Sequence, residues 1–205
     1  MSFSTLSLHD FIQALASAQP TPGGGSAAAV AGAMGTGLLI MVAGLPRTRG
    51  NSDEERAELA AVRERLLPLA DALERCADHD SEAFNAVMAA YGLPKSSDEE
   101  KAARKAAITS GMRAATEAPL DTLRLAVEAL ESAETVATMG NPSAASDAGV
   151  GTGLLLAAAN GAAANVRINL EGLADVDYRA AATRRMDRLL ARGREADSRV
   201  RAALG

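Results

Sequence analysis

The sequence predicts an all-α chain: a single-domain antiparallel helical bundle over residues 1–205, with two central small-residue helices. Three observations carry this. Strand-like alternation of Val, Ile, Thr and aromatics is not visible anywhere. Two long, nearly uncharged runs, Ser26 to Leu45 and Gly140 to Leu170, are mostly Ala, Gly and Leu. Aromatic residues make up 2% of the chain and Trp is absent, so the core must come from close backbone approach more than from large side chains. A length of 205 residues suffices for one well-buried domain, and no linker-like stretch divides it.

In chain order, residues 7 to 18 place Leu8, Phe11, Ile12, Leu15 and Ala16 on one face, a short amphipathic helix. Thr21-Pro22-Gly23-Gly24-Gly25-Ser26 follows as loop or helix start, because three glycines are poor in a helix interior. Amides exposed at such a start can receive an anion or let another segment pass close by. It is not a P-loop, which ends in Gly-Lys-Ser/Thr after a strand. The helix that follows contains Gly35-Thr36-Gly37-Leu38-Leu39, repeated verbatim at Gly151-Thr152-Gly153-Leu154-Leu155; the repeat is compatible with two helices packed on each other and, being a single pentapeptide, also with chance. Ala27 to Leu45 is long enough to raise a transmembrane reading, but Leu and Ile are sparse in it and small residues also mark buried bundle helices.

Asn51 to Tyr91 reads as a long charged amphipathic helix that Pro68 is expected to kink or divide. Leu73, Cys76, Ala77, Phe84, Val87, Met88 and Tyr91 form its apolar stripe, and Asp80 falls on that stripe, where a carboxylate needs a partner or a task. Gly92-Leu93-Pro94-Lys95 ends the helix, and Ser97-Asp98-Glu99-Glu100 is a capping box opening the next. Lys95, Lys101, Arg104 and Lys105 cluster there, as a solvated face in the plainest reading. Pro119 is expected to start another helix, Leu120 to Met139.

Asn141 and Pro142 then open the second small-residue helix. It carries Gly149, Gly151, Gly153 and Gly161, each disfavoured by about 1 kcal/mol against Ala, so a close neighbour must require them. Asp147, Gly151, Leu154, Ala158, Gly161, Asn165 and Asn169 share one stripe. The plain readings are that Asp147 helps cap its own helix and that Asn165 and Asn169 are a satisfied core pair. Asp147 and Asn165 lie about 27 Å apart along the axis, too far for one small substrate on one chain. Residues 173 to 203 form a last amphipathic helix or pair, whose arginines read as a solvated outer face.

One cysteine excludes an internal disulfide and a cysteine-rich zinc site, and two histidines argue against a multi-histidine metal site; no metal is expected, and the compartment is expected to be cytoplasmic. A net charge of −5 argues against a nucleic-acid surface. The N-terminus lacks a basic region before an apolar core, so no secretory signal is expected, and no membrane partner.

Beyond these signals, a set of motifs occurs in a telling order: Thr21-Pro22-Gly23-Gly24-Gly25-Ser26-Ala27-Ala28-Ala29, Asp80-Ser81-Glu82-Ala83-Phe84, Leu93-Pro94-Lys95, Arg104, Pro119-Leu120, Gly140-Asn141, Ser146-Asp147 and Asn165-Val166-Arg167-Ile168-Asn169-Leu170. The chain resembles the cyclodeaminase domain of formiminotransferase-cyclodeaminase and its stand-alone bacterial relatives, including methenyltetrahydrofolate cyclohydrolases. The resemblance spans nearly the whole chain and implies an all-helical homodimeric enzyme of folate one-carbon metabolism. It implies a tetrahydrofolate derivative as substrate, no further cofactor, and a site in a cleft associated with the dimer. The chemistry implied is closure of 5-formiminotetrahydrofolate to the 5,10-methenyl form with loss of ammonia, or hydrolysis of the methenyl form. Both need proton transfer, which a carboxylate in a dry, small-residue cleft supplies.

On this resemblance Asp147 is expected as the general acid or base, with Asp80 as second candidate or pterin anchor. Asn141, Ser146 and Asn165 are expected to orient the substrate. The amides of Gly23, Gly24, Gly25 and Ser26, with Lys95, Arg104 and Arg167, are expected to hold the anionic folate tail. Relatives often follow the first glycine-rich helix with a Thr-Tyr-Gly-Lys-like segment, where this chain has Leu45-Pro46-Arg47-Thr48-Arg49-Gly50; the departure bears on substrate more than on fold. A non-catalytic helical dimer that binds a folate or a protein is the reading from another class, since fold does not guarantee activity.

Overall fold

Side-chain caps from the N-cap residue set where four of the six helices among the described residues begin. Ser52 Oγ accepts the Glu55 N–H at 3.2 Å while Glu55 returns a bond to the Ser52 N–H at 2.9 Å, and Ser97 and Glu100 repeat the reciprocal box. Ser7 and Asp175 cap the first and last helices in the simpler way. The computed structural model describes residues 3–46 and 50–205. After a 3-10 turn at Phe3–Thr5 come α1 (Leu8–Ala16), α2 (Gly24–Gly44), α3 (Asp53–Tyr91), α4 (Asp98–Met139), α5 (Ala145–Glu171) and α6 (Val176–Leu204), with a 3-10 turn at Pro142–Ala144 before α5. No strand occurs among the described residues. Of the segment that departs from the relatives' pattern, Arg47, Thr48 and Arg49 lie outside them.

Neither proline divides its helix as expected: Pro68 lies inside α3 and Pro119 inside α4. A helical proline deprives the carbonyl four residues earlier of its N–H. At Pro68 that carbonyl belongs to Glu64, an exposed residue. At buried Pro119 it belongs to Ala115, and the Asn169 side-chain amide of α5 donates to the Ala115 carbonyl instead. A neighbouring helix thus repairs the gap that the ring opens.

α2, α3, α4 and α5 form an antiparallel four-helix bundle. Gly25 lies beside Asp80, Gly32 against Leu73 and Gly44 beside Arg63, so α3 runs against α2; Gly24 beside Asn165 and Gly32 against Ala158 fix α5 likewise. Leu39, Leu66, Leu73, Leu123, Leu130 and Leu155 fill the fully buried interior. α6 runs parallel to α4 along the outside. Arg185, Arg192 and Arg199, seven residues apart, reach Glu117, Glu131 and Glu134 of α4 at 2.8–3.0 Å. The expected solvated arginine face is therefore partly an ion-paired seam.

The repeated pentapeptides cross as mirror contacts. A Cβ at Gly35 would sit 2.6 Å from the Gly151 carbonyl oxygen, and one at Gly151 2.9 Å from the Gly35 carbonyl oxygen. Leu38 and Leu39 flank Gly151 as Leu154 and Leu155 flank Gly35. The two threonines are both buried and turn their hydroxyls back onto Gly32 and Ala148. On the outer side Gly37 and Gly153 meet no atom within 4 Å, and Met34, Met41 and Val150, each within about one turn of one of them, are exposed. α2 is long and apolar enough to cross a bilayer, but Gly25, Gly32 and Gly35 answer the demands of its packing on α3 and α5.

Candidate active site

At the end of the bundle where α2 begins, a cavity of about 310 Å³ opens between four helices. Gly23, Gly24 and Gly25 form one wall, Asp80 and Phe84 of α3 a second, Met112 and Ala115 of α4 a third, and Asn165 and Asn169 of α5 the fourth. Gly23 stands at the N-cap of α2 and offers no side-chain cap. Asp80 supplies one from α3: the Ser26 N–H and hydroxyl both donate to its carboxylate, the hydroxyl at 3.2 Å from Oδ2. This approach needs glycine, because a Cβ on Gly25 would fall within the Asp80 carboxyl group. Burial pushes the Asp80 carboxyl above the usual carboxylate range, against the opposing pull of the Ser26 hydrogen bonds. A half-buried acid so poised, at the wall of a cavity, is suited to proton transfer.

Asn165 donates Nδ2 to the Gly161 carbonyl at 3.0 Å, and Asn169 donates to the Ala115 carbonyl as described. Both amides are held through an N–H group, and both residues line the cavity. Asn169 was not among the expected binding residues, although it shares the stripe of Asn165. The missing signal was Pro119: its orphaned carbonyl calls for a donor, but a sequence does not say which helix provides it.

The remaining expected residues divide into two groups. Lys95 and Arg104 line a second cavity of about 360 Å³ with Lys101 and Lys105. Arg104 donates to the Tyr91 carbonyl at 3.0 Å from Nη2 and stacks over the Tyr91 ring with 5.6 Å to its centroid. Phe84, Met88 and Tyr91, all exposed and each about one turn from the last, run between the two cavities along α3. Asp147, Asn141 and Ser146 lie at the other end of α5, and the fold does not bring them to Asp80 within one chain. Asn141 accepts the Ser143 N–H at 2.9 Å and donates to the Pro46 carbonyl at 2.8 Å, so its side chain is engaged in holding the turn. Arg167 is exposed on the outer face of α5.

A larger groove of about 540 Å³ runs between α3 and α4, lined by Arg75, Cys76, His79, Glu117 and Arg124 among others. Burial pushes the Cys76 thiol upward, away from the thiolate a nucleophile needs, and the groove lacks the amide wall that the glycine-lined cavity has.

Residues 7–188 match the model of the formiminotransferase-cyclodeaminase family. The chain belongs to that family. The cyclodeaminase family also supplies close relatives at both levels. The methenyltetrahydrofolate cyclohydrolase of Methylorubrum extorquens is 42% identical over 193 residues, covering 94% of this chain and 93% of that protein. The formimidoyltransferase-cyclodeaminase of Gallus gallus is 34% identical over 201 residues, 98% of this chain but 37% of the longer protein. The crystal structure of formiminotetrahydrofolate cyclodeaminase from Thermotoga maritima superposes with a TM-score of 0.87 at 30% identity, covering 98% of this chain and 96% of that one. The fold of the cyclodeaminase family is thus the fold of this chain, an all-α bundle with paired glycine-rich helices.

Proposed function

We propose that the protein is a methenyltetrahydrofolate cyclohydrolase in which Asp80 carries the proton. The observation that carries this is the placement of a half-buried carboxyl, raised in pKa, on the wall of a glycine-lined cavity. The full-length likeness to the Methylorubrum extorquens enzyme supports hydrolysis as the reaction. The likeness to the Thermotoga maritima cyclodeaminase supports closure of 5-formiminotetrahydrofolate as the second reading.

Asp80, as carboxylate, takes a proton from water as the water oxygen bonds to the cationic methenyl carbon between N5 and N10. The tetrahedral adduct then breaks its C–N5 bond as the Asp80 carboxyl returns that proton to N5, and the hydroxyl proton leaves to solvent. The product is the 10-formyl derivative with one proton released. The Asn165 and Asn169 oxygens accept from the N–H groups of the pterin ring. Phe84, Met88 and Tyr91, spread along about 10 Å of α3, carry the aryl unit, and Lys95 and Arg104 meet the glutamate carboxylates. No cofactor is part of this reading; the folate derivative is the substrate.

The exposed, uncharged stripe around Gly37 and Gly153 supports a homodimer built by laying the α2 and α5 faces of two copies together. A two-fold axis near the middle of α5 brings the partner subunit's Asp147 level with Asn165, which reconciles the 27 Å separation with a shared site. The test is turnover of 5,10-methenyltetrahydrofolate and 5-formiminotetrahydrofolate side by side, followed by the absorbance of the methenyl compound, with light scattering for the mass. Faster loss of the methenyl compound supports the assignment. Formation of it from the formimino compound alone supports the second reading, and folate binding without turnover of either supports a non-catalytic dimer.

A further inference from the structure

We infer that Ser81 is a positioning residue for Asp80, acting through Ser26: the two buried hydroxyls form a relay in which the Ser26 proton follows the charge on the carboxylate. The inference rests on the role proposed for Asp80. Ser26 is 0% exposed and Ser81 4% exposed, and they come from different helices, α2 and α3. Ser26 Oγ lies 2.9 Å from the Ala77 carbonyl oxygen, 3.2 Å from Asp80 Oδ2 and 3.1 Å from Ser81 Oγ.

A hydroxyl has one proton to give. The Ala77 carbonyl and an ionised Asp80 are both acceptors, so Ser26 serves one or the other, and Ser81 is the neighbour able to donate into the Ser26 oxygen. With Asp80 ionised, the Ser26 proton lies on Oδ2 and the Ser81 proton on Ser26 Oγ, two bonds in series that polarise each other. With Asp80 protonated, the demand for a donor falls and the Ser26 proton turns to the Ala77 carbonyl, which keeps its helical partner, the Ser81 N–H, in both states. The hydroxyl pair therefore stabilises the ionised acid without adding a charge to the cavity.

Among the described residues that line the cavity, Asp80 is the one charged group. From α2 the carboxyl meets glycines and Ser26, from α4 Met112 and Ala115, and from α5 the neutral amides of Asn165 and Asn169. On its own helix, Asp78 accepts the Phe3 N–H at 2.6 Å, and His79 and Glu82 line the groove on another face of α3.

The experiment is a carbon-13 NMR titration of carboxyl-labelled aspartate in the wild type, Ser26→Ala, Ser81→Ala and the double variant, with the Asp80 signal assigned by its loss in Asp80→Asn. Ser26→Ala should raise the Asp80 midpoint by about one pH unit, as a hydrogen bond to a charged group is lost. Ser81→Ala should raise it by about 0.3 unit, the support that one bond gives the next, and should add nothing in the Ser26→Ala background. Ser81→Cys, near-isosteric and a weak donor, carries the same test if the Ala variant does not fold. A Ser81 midpoint indistinguishable from wild type, or a Ser81 shift that persists in full without Ser26, overturns the relay. The titration is read without turnover, so a wild type that shows the relay yet turns over neither folate overturns the proposed function alone.

Discussion

Removing the Asn169 amide tests how the bundle tolerates a proline inside its longest helix. In Asn169→Leu the Ala115 carbonyl loses the donor that replaces the missing Pro119 N–H, and a partly buried acceptor is left unpaired. An orphaned group of this kind costs about 1–3 kcal/mol. In the Pro119→Ala background the residue-119 amide can bond the Ala115 carbonyl directly, so Asn169→Leu should cost about 1 kcal/mol less there than in the wild type. The assay is urea unfolding of the four proteins at one fixed protomer concentration, with the m-value checked for constancy. Costs of the two substitutions that add to within about 0.5 kcal/mol would refute the repair, because uncoupled sites add that closely.

Three further outcomes follow from the cavity. Burial holds the Asp80 carboxyl above its unfolded value, so its contribution to stability is present in acid and lost as pH rises through the folded pKa. Asp80→Asn should therefore match the wild type in thermal melts near pH 4 and melt higher toward neutrality; a variant that melts lower at neutral pH contradicts this. Gly25→Ala drives a methyl into the Asp80 carboxyl group and should lower turnover by about tenfold or more, since misplacing a catalytic group by about 1 Å has effects of that order. Wild-type rates in that variant would show that the close approach is dispensable. If the partner subunit's Asp147 completes the site, Asp80→Asn and Asp147→Asn homodimers should each be impaired, and mixed dimers, which hold one intact site, should regain activity; mixing without recovery removes Asp147 from the chemistry.

The helices were legible because small-residue runs, capping boxes and the absence of strand patterning all act locally. The crossing of α2 on α5 was hinted at for a rarer reason: the same five residues occur on both, and the first glycine of each, Gly35 and Gly151, is needed by the other helix. Pro119 misled because a helix start is a local expectation, while the repair of the gap it opens, by Asn169 at Ala115, depends on what lies alongside. The arginines of α6 misled in the same way, since their seven-residue spacing acquires meaning only against Glu117, Glu131 and Glu134 of a parallel neighbour. Of the two carboxylates, Asp147 carried the stronger motif and Asp80 the stronger environment. The stripe on α3 did mark Asp80 as anomalous, but the contact with Gly25 and Ser26 that raises it to a candidate acid spans 55 residues of sequence at Gly25 and was not readable.

Turnover by a folded Asp80→Asn protein is the most direct test of that assignment. The substitution keeps the shape and an acceptor for the Ser26 bonds but removes the transferable proton. With folate binding verified by titration, 5,10-methenyltetrahydrofolate turnover should fall on the order of 10²-fold or more, the usual contribution of a positioned acid or base. Wild-type turnover by that protein would contradict a proton-transfer role for Asp80 and leave it a cap for α2.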